Sequence, residues 1–208
     1  MPGGKSAKVE ECQGGKVLEE EYEKRRTLPR RLTPAPPEET PFLFTIRDAQ
    51  GTDLPDILEI YNHYVANSTV TFDEEPMTPR DLRAKFQHLS KLGLPFLVAV
   101  SGGGRLLGYA YVAPWRQKAA YRYTVESTIY LGAAATGKGL GRALLGELIA
   151  RARAAGLREL IAVIADHGAQ GSIALHERFG FVEIGRLGRV GFKFDRWLGT
   201  ILYQKSLT

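Results

Sequence analysis

The stretch Leu131-Gly132-Ala133-Ala134-Ala135-Thr136-Gly137-Lys138-Gly139-Leu140-Gly141-Arg142-Ala143 constrains the fold more than any other part of the chain. A β-branched, tyrosine-rich segment, Tyr121–Leu131, runs into it. An amphipathic segment with Leu144, Leu145, Leu148, Ile149 and Ala152 on one face runs out of it and stops at Gly156. Those patterns predict a strand before the loop and a helix after it. Glycines at 137, 139 and 141 let backbone N–H groups converge without Cβ obstruction, and the helix adds its positive dipole end. A loop of that build takes an anion, best a phosphate or pyrophosphate.

The punctuation on either side fixes the rest of the order. Phe42–Arg47 alternates like a strand, and Thr52 or Asp53 can cap a helix that runs to about Val65. Thr78-Pro79-Arg80-Asp81 supplies a cap, a first-turn proline and a first-turn acid for a second helix, which Gly93 closes. Phe96–Val100, Ser101-Gly102-Gly103-Gly104 and Leu106–Val112 read as a hairpin. After the glycine loop come a strand at Leu160–Ile164, a short helix at Ser172–Phe179, and strands at Phe181–Arg186 and Leu198–Lys205. The expected fold class is mixed α/β, with one strand–helix–strand crossover near the middle.

Residues 1–41 differ in character. They hold six of the eleven prolines, eight basic and eight acidic side chains, and few large apolar residues. Such a segment cannot offset its ordering entropy by burial, so a disordered tail is expected, with a short charged helix near Val17–Arg26. It has neither the apolar core of a secretory signal nor the acid-poor composition of a transit peptide. Two domains follow: a tail at 1–41 and a folded domain at 42–208.

The net charge of +5 therefore belongs to residues 42–208, where it is spread out. That distribution favours a small anionic ligand over a nucleic-acid partner. No apolar run approaches the roughly 20 residues of a membrane helix. The single cysteine, Cys12, excludes an internal disulfide and a thiolate metal cluster, and a cytoplasmic setting is the default. The four histidines show no metal-ligand spacing, so no metal is expected.

The glycine loop admits two readings. Gly132-x-x-x-x-Gly137-Lys138 matches the first seven positions of a nucleotide P-loop, but Gly139 stands where that loop needs a magnesium-binding Ser or Thr. The other reading has more support. Thr136-Gly137-Lys138-Gly139-Leu140-Gly141 resembles the coenzyme A loop of the GNAT superfamily of N-acetyltransferases, Gln/Arg-x-x-Gly-x-Gly/Ala. Ser172-Ile173-Ala174-Leu175-His176-Glu177-Arg178-Phe179-Gly180-Phe181 is similar to the second motif of that superfamily. Within it, the chain resembles the phosphinothricin N-acetyltransferases. The stretches that carry the likeness include Asn62-His63-Tyr64, Ser68-Thr69-Val70-Thr71-Phe72, Pro114-Trp115-Arg116 and Thr124-Val125-Glu126-Ser127-Thr128-Ile129-Tyr130. Leu175-His176-Glu177 and Gly191-Phe192-Lys193 followed by Trp197 belong to it too. Two positions depart: Thr136 replaces Gln or Arg, from which a less ordered loop is expected, and Ala169 replaces a frequent Asn three residues before Ser172.

The resemblance implies a central, mostly antiparallel sheet flanked by helices. It also implies acetyl-CoA as co-substrate, a small-molecule amine such as phosphinothricin or methionine sulfoximine as acceptor, herbicide resistance as the phenotype, and a homodimer. The coenzyme contacts it carries over are Ile129, Tyr130, Leu131, Thr136, Gly137, Lys138, Gly139, Leu140, Gly141, Arg142 and Ser172.

Transfer from a thioester to an amine needs a base for the amine, support for the oxyanion and a route for the thiolate to leave. Glu126 is the expected base, because a carboxylate inside an apolar strand is costly unless paired or used, and burial raises its pKa. The same glutamate could instead face solvent from one side of a sheet. By resemblance His176 stands near the coenzyme sulfur, where an imidazole can donate to the thiolate or accept from the amine. Arg116 and Arg122 are the candidate forks for substrate acids, with Phe72 and Trp115 as pocket walls. Each could equally be a solvated arginine or a core ring. The remaining alternatives are an enzyme for another amine or a protein N-terminus, and a non-catalytic acyl-CoA sensor.

Overall fold

Side-chain alternation along the central strands decides the layering. The computed structural model describes residues 42–208, which form one unit; the expected tail and its charged helix lie outside the described residues. In chain order the elements are β1 (Phe44–Asp48), α1 (Leu54–Asn67), α2 (Pro79–Lys91), β2 (Phe96–Ser101), β3 (Leu106–Pro114), β4 (Thr124–Leu131), α3 (Leu140–Ala154), β5 (Glu159–Ala165), α4 (Gln170–Arg178), β6 (Val182–Lys193) and β7 (Arg196–Ser206). The strands form one sheet in the order β1-β2-β3-β4-β5-β7-β6, in which β4 and β5 are parallel and every other pair is antiparallel.

Leu97, Ala99, Ala110 and Val112 point to one face, where Leu144, Leu145 and Leu148 of α3 cover them. Phe96, Val98, Tyr109 and Tyr111 point to the other, against Ile57 of α1 and Leu82 and Leu89 of α2. Fully burying a side chain of this size contributes roughly 1.5–3 kcal/mol, so each helix is held by its apolar stripe more than by its propensity. The α4 side chains Ile173, Leu175 and Phe179 pack on the α3 side.

The element order matches the sequence reading, while several ends differ for local reasons. Thr78 Oγ1 accepts from the Asp81 N–H at 3.2 Å, as its pattern predicts. Asp53 stands at the N-cap of α1, but its side chain makes no capping bond there. Its carboxylate accepts two bonds from Arg47, at 2.7 and 2.8 Å, and one from the Gln50 N–H at 2.7 Å. That ion pair holds the Asp53 carboxyl below the usual carboxylate range. β4 begins at Thr124 rather than Tyr121, because Ala119–Tyr121 closes a short 3-10 turn. β6 runs to Lys193, seven residues beyond the expected Arg186, through a register shift between Leu187 and Gly191.

Candidate active site

The glycine loop lies between β4 and α3. Gly137 and Gly139 have φ of +73° and +80°, a region that L side chains avoid, and a Cβ on either would meet nothing within 4 Å. α3 starts at Leu140 with Gly139 as its N-cap and no capping side chain. Its first-turn N–H groups therefore have no side-chain cap, and the space around Gly137 and Gly139 at the positive end of the helix is open. A diphosphate fits such a cradle. Thr136 Oγ1 donates to the Ala133 carbonyl at 3.0 Å and ties off the turn Ala133–Ala135. Lys138 turns toward Phe42, with Nζ 4.9 Å from the ring centroid.

Next to the cradle the sheet forks. β4 pairs with β3 from Val125 to Leu131, but with β5 only from Thr124 to Glu126. Beyond Glu126 one edge of β4 therefore has no strand partner. Ser127 Oγ donates across the fork to the Ile161 carbonyl at 3.3 Å. The expected coenzyme contacts Ile129, Tyr130 and Leu131 all lie on this open edge. Two of them are already engaged elsewhere: the Tyr130 ring packs against Tyr61 and Tyr64 at 5.4 and 5.1 Å, and the Leu131 carbonyl accepts from the Tyr64 hydroxyl at 2.8 Å. Gly108 makes the close β3–β4 approach possible, since a Cβ there would meet Leu131 at 2.8 Å.

Glu126 is the last β4 residue paired to β5. Val125 points into the α3-side core, so its neighbour Glu126 points to the α1/α2 side, as does Tyr130. The side chain is half-buried rather than solvated. Burial pushes its carboxyl above the usual carboxylate range, and the nearby charges of Arg116 and Lys85 pull it partly back. A carboxylate so placed is a stronger proton acceptor than a surface glutamate.

His176 is buried in α4, only 4% exposed, with its ring edge-on to Phe181 at 4.9 Å between centroids. Nδ1 lies 2.8 Å from the Ser172 carbonyl, an acceptor only, so Nδ1 carries the proton. Burial also pushes the pKa of the ring below its ordinary value. The ring is neutral near pH 7, and its Nε2 is an acceptor. Of the two roles expected for His176, this geometry suits acceptance and not donation. Ser172 is engaged locally, with Oγ 3.4 Å from His176 Nδ1. α4 begins at Ala169 with no side-chain cap, where Asn would have offered one.

On the substrate side, Pro114, Trp115, Arg116, Gln117, Lys118 and Tyr121 line an open cavity of about 590 Å³. The Arg116 guanidinium lies 4.4 Å from the centre of the Trp115 ring. Arg122 is placed differently from Arg116. It stacks on Tyr123 at 4.7 Å and donates to the Ala119 carbonyl at 3.3 Å, and it is not among the charges acting on Glu126. Phe72 lies flat on Gly191 of β6, where a Cβ would meet the ring at 2.5 Å. Lys193, 2% exposed, holds that segment by donating to the Ser68 and Thr71 carbonyls, each at 2.9 Å. Tyr61 donates to Asp73 and also lies 3.2 Å from Thr71 Oγ1, fastening α1 to the same segment.

Lys85, Lys193 and the Tyr61–Thr71–Asp73 set were not singled out as site residues from sequence. Each is an ordinary polar residue in an ordinary context until the fold brings it inward. Among the described residues, no group of three His, Cys, Asp or Glu could hold a metal ion. No helix among them is long and apolar enough to cross a membrane.

This geometry has close counterparts. The profile of the acetyltransferase (GNAT) family matches residues 57–181. A phosphinothricin N-acetyltransferase of Alcaligenes faecalis is 44% identical over 163 residues, covering 78% of this chain and 82% of that one. An L-methionine sulfoximine/L-methionine sulfone acetyltransferase of Pseudomonas aeruginosa is also 44% identical, covering 78% of this chain and 94% of that one. Among solved structures, a GNAT phosphinothricin acetyltransferase of Sinorhizobium meliloti, in complex with acetyl-CoA, superposes with a TM-score of 0.75. It shows 43% identity and covers 78% of this chain and 88% of that one. With the forked sheet, the uncapped glycine cradle and these likenesses together, the chain belongs to the GNAT family of N-acetyltransferases and groups there with the phosphinothricin and methionine sulfoximine/sulfone acetyltransferases.

Proposed function

We propose that the chain acetylates the primary amine of a small amino-acid-like compound, with acetyl-CoA as donor and phosphinothricin or methionine sulfoximine/sulfone as the substrate type. The observation that carries this reading is the position of Glu126. A carboxylate with a raised pKa stands at the fork of β4 and β5, with the open strand edge and cradle on one side and Arg116 on the other. The names of the relatives support the substrate class.

The N–H groups of Gly137–Arg142 receive the pyrophosphate, and the free edge of Ser127–Leu131 offers backbone partners to the arm that follows it. The thioester bound there supplies the acetyl group: the C–S bond breaks as the C–N bond forms, and the thiolate leaves and takes a proton from solvent. Glu126 takes the proton that the amine must lose, directly or through one water. His176, held neutral by its bond to Ser172, serves as a second acceptor at Nε2. Arg116 pairs with the substrate carboxylate and Trp115 walls the cavity, while Phe72, held against Gly191 outside that lining, is a second wall for the substrate. Arg122 steadies the turn before β4. Two copies pair through the apolar outer face of β6 and β7, and the enzyme works in the cytoplasm.

Glu126→Gln keeps the shape and removes the base. Its kcat should fall on the order of 10²–10⁴-fold with acetyl-CoA affinity nearly intact. The deficit should narrow as pH rises, because free amine then supplies itself. A variant that keeps full kcat, with an unchanged pH–rate profile, would mean that Glu126 is structural.

A further inference from the structure

Lys85 projects from α2 over the sheet face that carries Glu126. Tyr111 and Ala113 of β3 share that face, and they pair with Thr128 and Glu126 of β4. The Lys85 ammonium lies 3.5 Å from the Tyr111 hydroxyl and 5.7 Å from the centre of its ring. Tyr111 and Glu126 are diagonal neighbours on that face, a spacing of roughly 7–8 Å that long side chains bridge. Lys85 is half-buried, and among the described residues it makes no ion pair. Its charge acts on Glu126 from beyond ion-pair distance, so the ammonium keeps donors free for a further acidic group.

Arg116 lies in the connection between β3 and β4, where its charge acts on the same carboxylate without an ion pair between them. Lys85 and Arg116 are the two charges that act on Glu126. Two cations from two elements thus flank one base. An α-amino acid whose nitrogen stands at Glu126 presents its carboxylate close by, and one fork is enough to hold it. A second fixed cation calls for a second acidic group, a short methylene chain away.

We propose that Lys85 is a specificity-determining residue that binds the side-chain acidic group of substrates carrying two acids, while Arg116 holds the α-carboxylate. The inference rests on the proposed amino-acid acetyltransferase activity and adds to it a preference for substrates with two acids. Phosphinothricin carries a carboxylate and a phosphinate, whereas methionine sulfone carries a carboxylate and an uncharged sulfone.

The test compares kcat/KM for these two substrates, with saturating acetyl-CoA, in the unmutated enzyme and in Lys85→Met, Lys85→Gln and Lys85→Arg. Met keeps the aliphatic stem on Tyr111, and Gln provides a second neutral variant should Met perturb the helix. The neutral variants should lower the phosphinothricin-to-sulfone ratio at least tenfold, chiefly through KM for phosphinothricin, and Arg should restore most of it. Loss of the cation also raises the proton affinity of Glu126, so the acid limb of both profiles should move to higher pH. If that limb moves while the ratio stays fixed, Lys85 only tunes the base and the proposal is overturned. If the unmutated enzyme acetylates both compounds and no variant changes the ratio, the proposal alone fails. If it acetylates neither, the proposed activity fails and takes the proposal with it.

Discussion

A carboxylate placed in an apolar strand carries a cost, and at Glu126 that cost can be read without any substrate. Because its folded pKa lies above the unfolded value, the native state binds more protons than the unfolded state between the two. Stability contributed by this group is therefore present at low pH and lost as pH rises through the raised pKa. Glu126→Gln should accordingly melt higher than the unmutated protein at pH 8, with the difference closing toward pH 4. Equal melting temperatures at both pH values would mean the carboxyl is as well solvated as a surface glutamate. Glu126 was legible in the sequence because a charge amid Val125, Ile129 and Leu131 breaks an apolar run. The buried state of His176 was not legible, since a lone histidine in a short helix gives no sign of which face it occupies. Its tautomer follows from the Ser172 carbonyl, which only the folded helix brings to Nδ1. Lys85 reads as one more solvated charge on an amphipathic helix until Tyr111 is placed beneath it.

At the scale of elements, the proposed substrate wall at Phe72 joins two parts of the chain far apart in sequence. Lys193 at the end of β6 satisfies the carbonyls of Ser68 and Thr71 while Phe72 lies on Gly191. Lys193→Met would leave one buried and one part-buried acceptor unpaired, the buried one costing about 1–3 kcal/mol. For a domain of this size each kcal/mol is worth roughly 2–4 °C of melting temperature. The variant should therefore melt several degrees lower, and KM for the amine should rise more than KM for acetyl-CoA. A parallel rise in both would show that the wall is not local to the amine. Sequence periodicity gave the order of strands and helices because the apolar spacing switches cleanly from two to 3.6 on either side of the glycine loop. It did not give the length of β6, where Gly185, Gly188 and Gly191 break the alternation and the register shifts. Nor could it show the fork, which depends on β4 and β5 pairing over only three residues.

At the scale of the whole molecule, β6 is an edge strand, and its hairpin with β7 exposes large apolar side chains. Val182 is 66% exposed, Val190 53%, Phe192 51% and Trp197 52%. Exposed apolar side chains along an edge strand are a liability in a monomer and an asset in a dimer. Light scattering should find a homodimer, and Val190→Glu combined with Phe192→Glu should convert it to monomer; an unmutated protein that is already monomeric would refute the pairing. The central claim is acetyl transfer to an amino-acid amine, and thiol release from acetyl-CoA measures it most directly. Phosphinothricin should be turned over with kcat/KM far above that for ethanolamine, since charge-assisted bonds to a substrate acid contribute roughly 1.5–3 kcal/mol each, at least tenfold apiece. Equal values for the two amines would contradict the substrate assignment, and acetyl-CoA binding without thiol release on any amine would contradict the enzyme itself and leave an acyl-CoA sensor in its place.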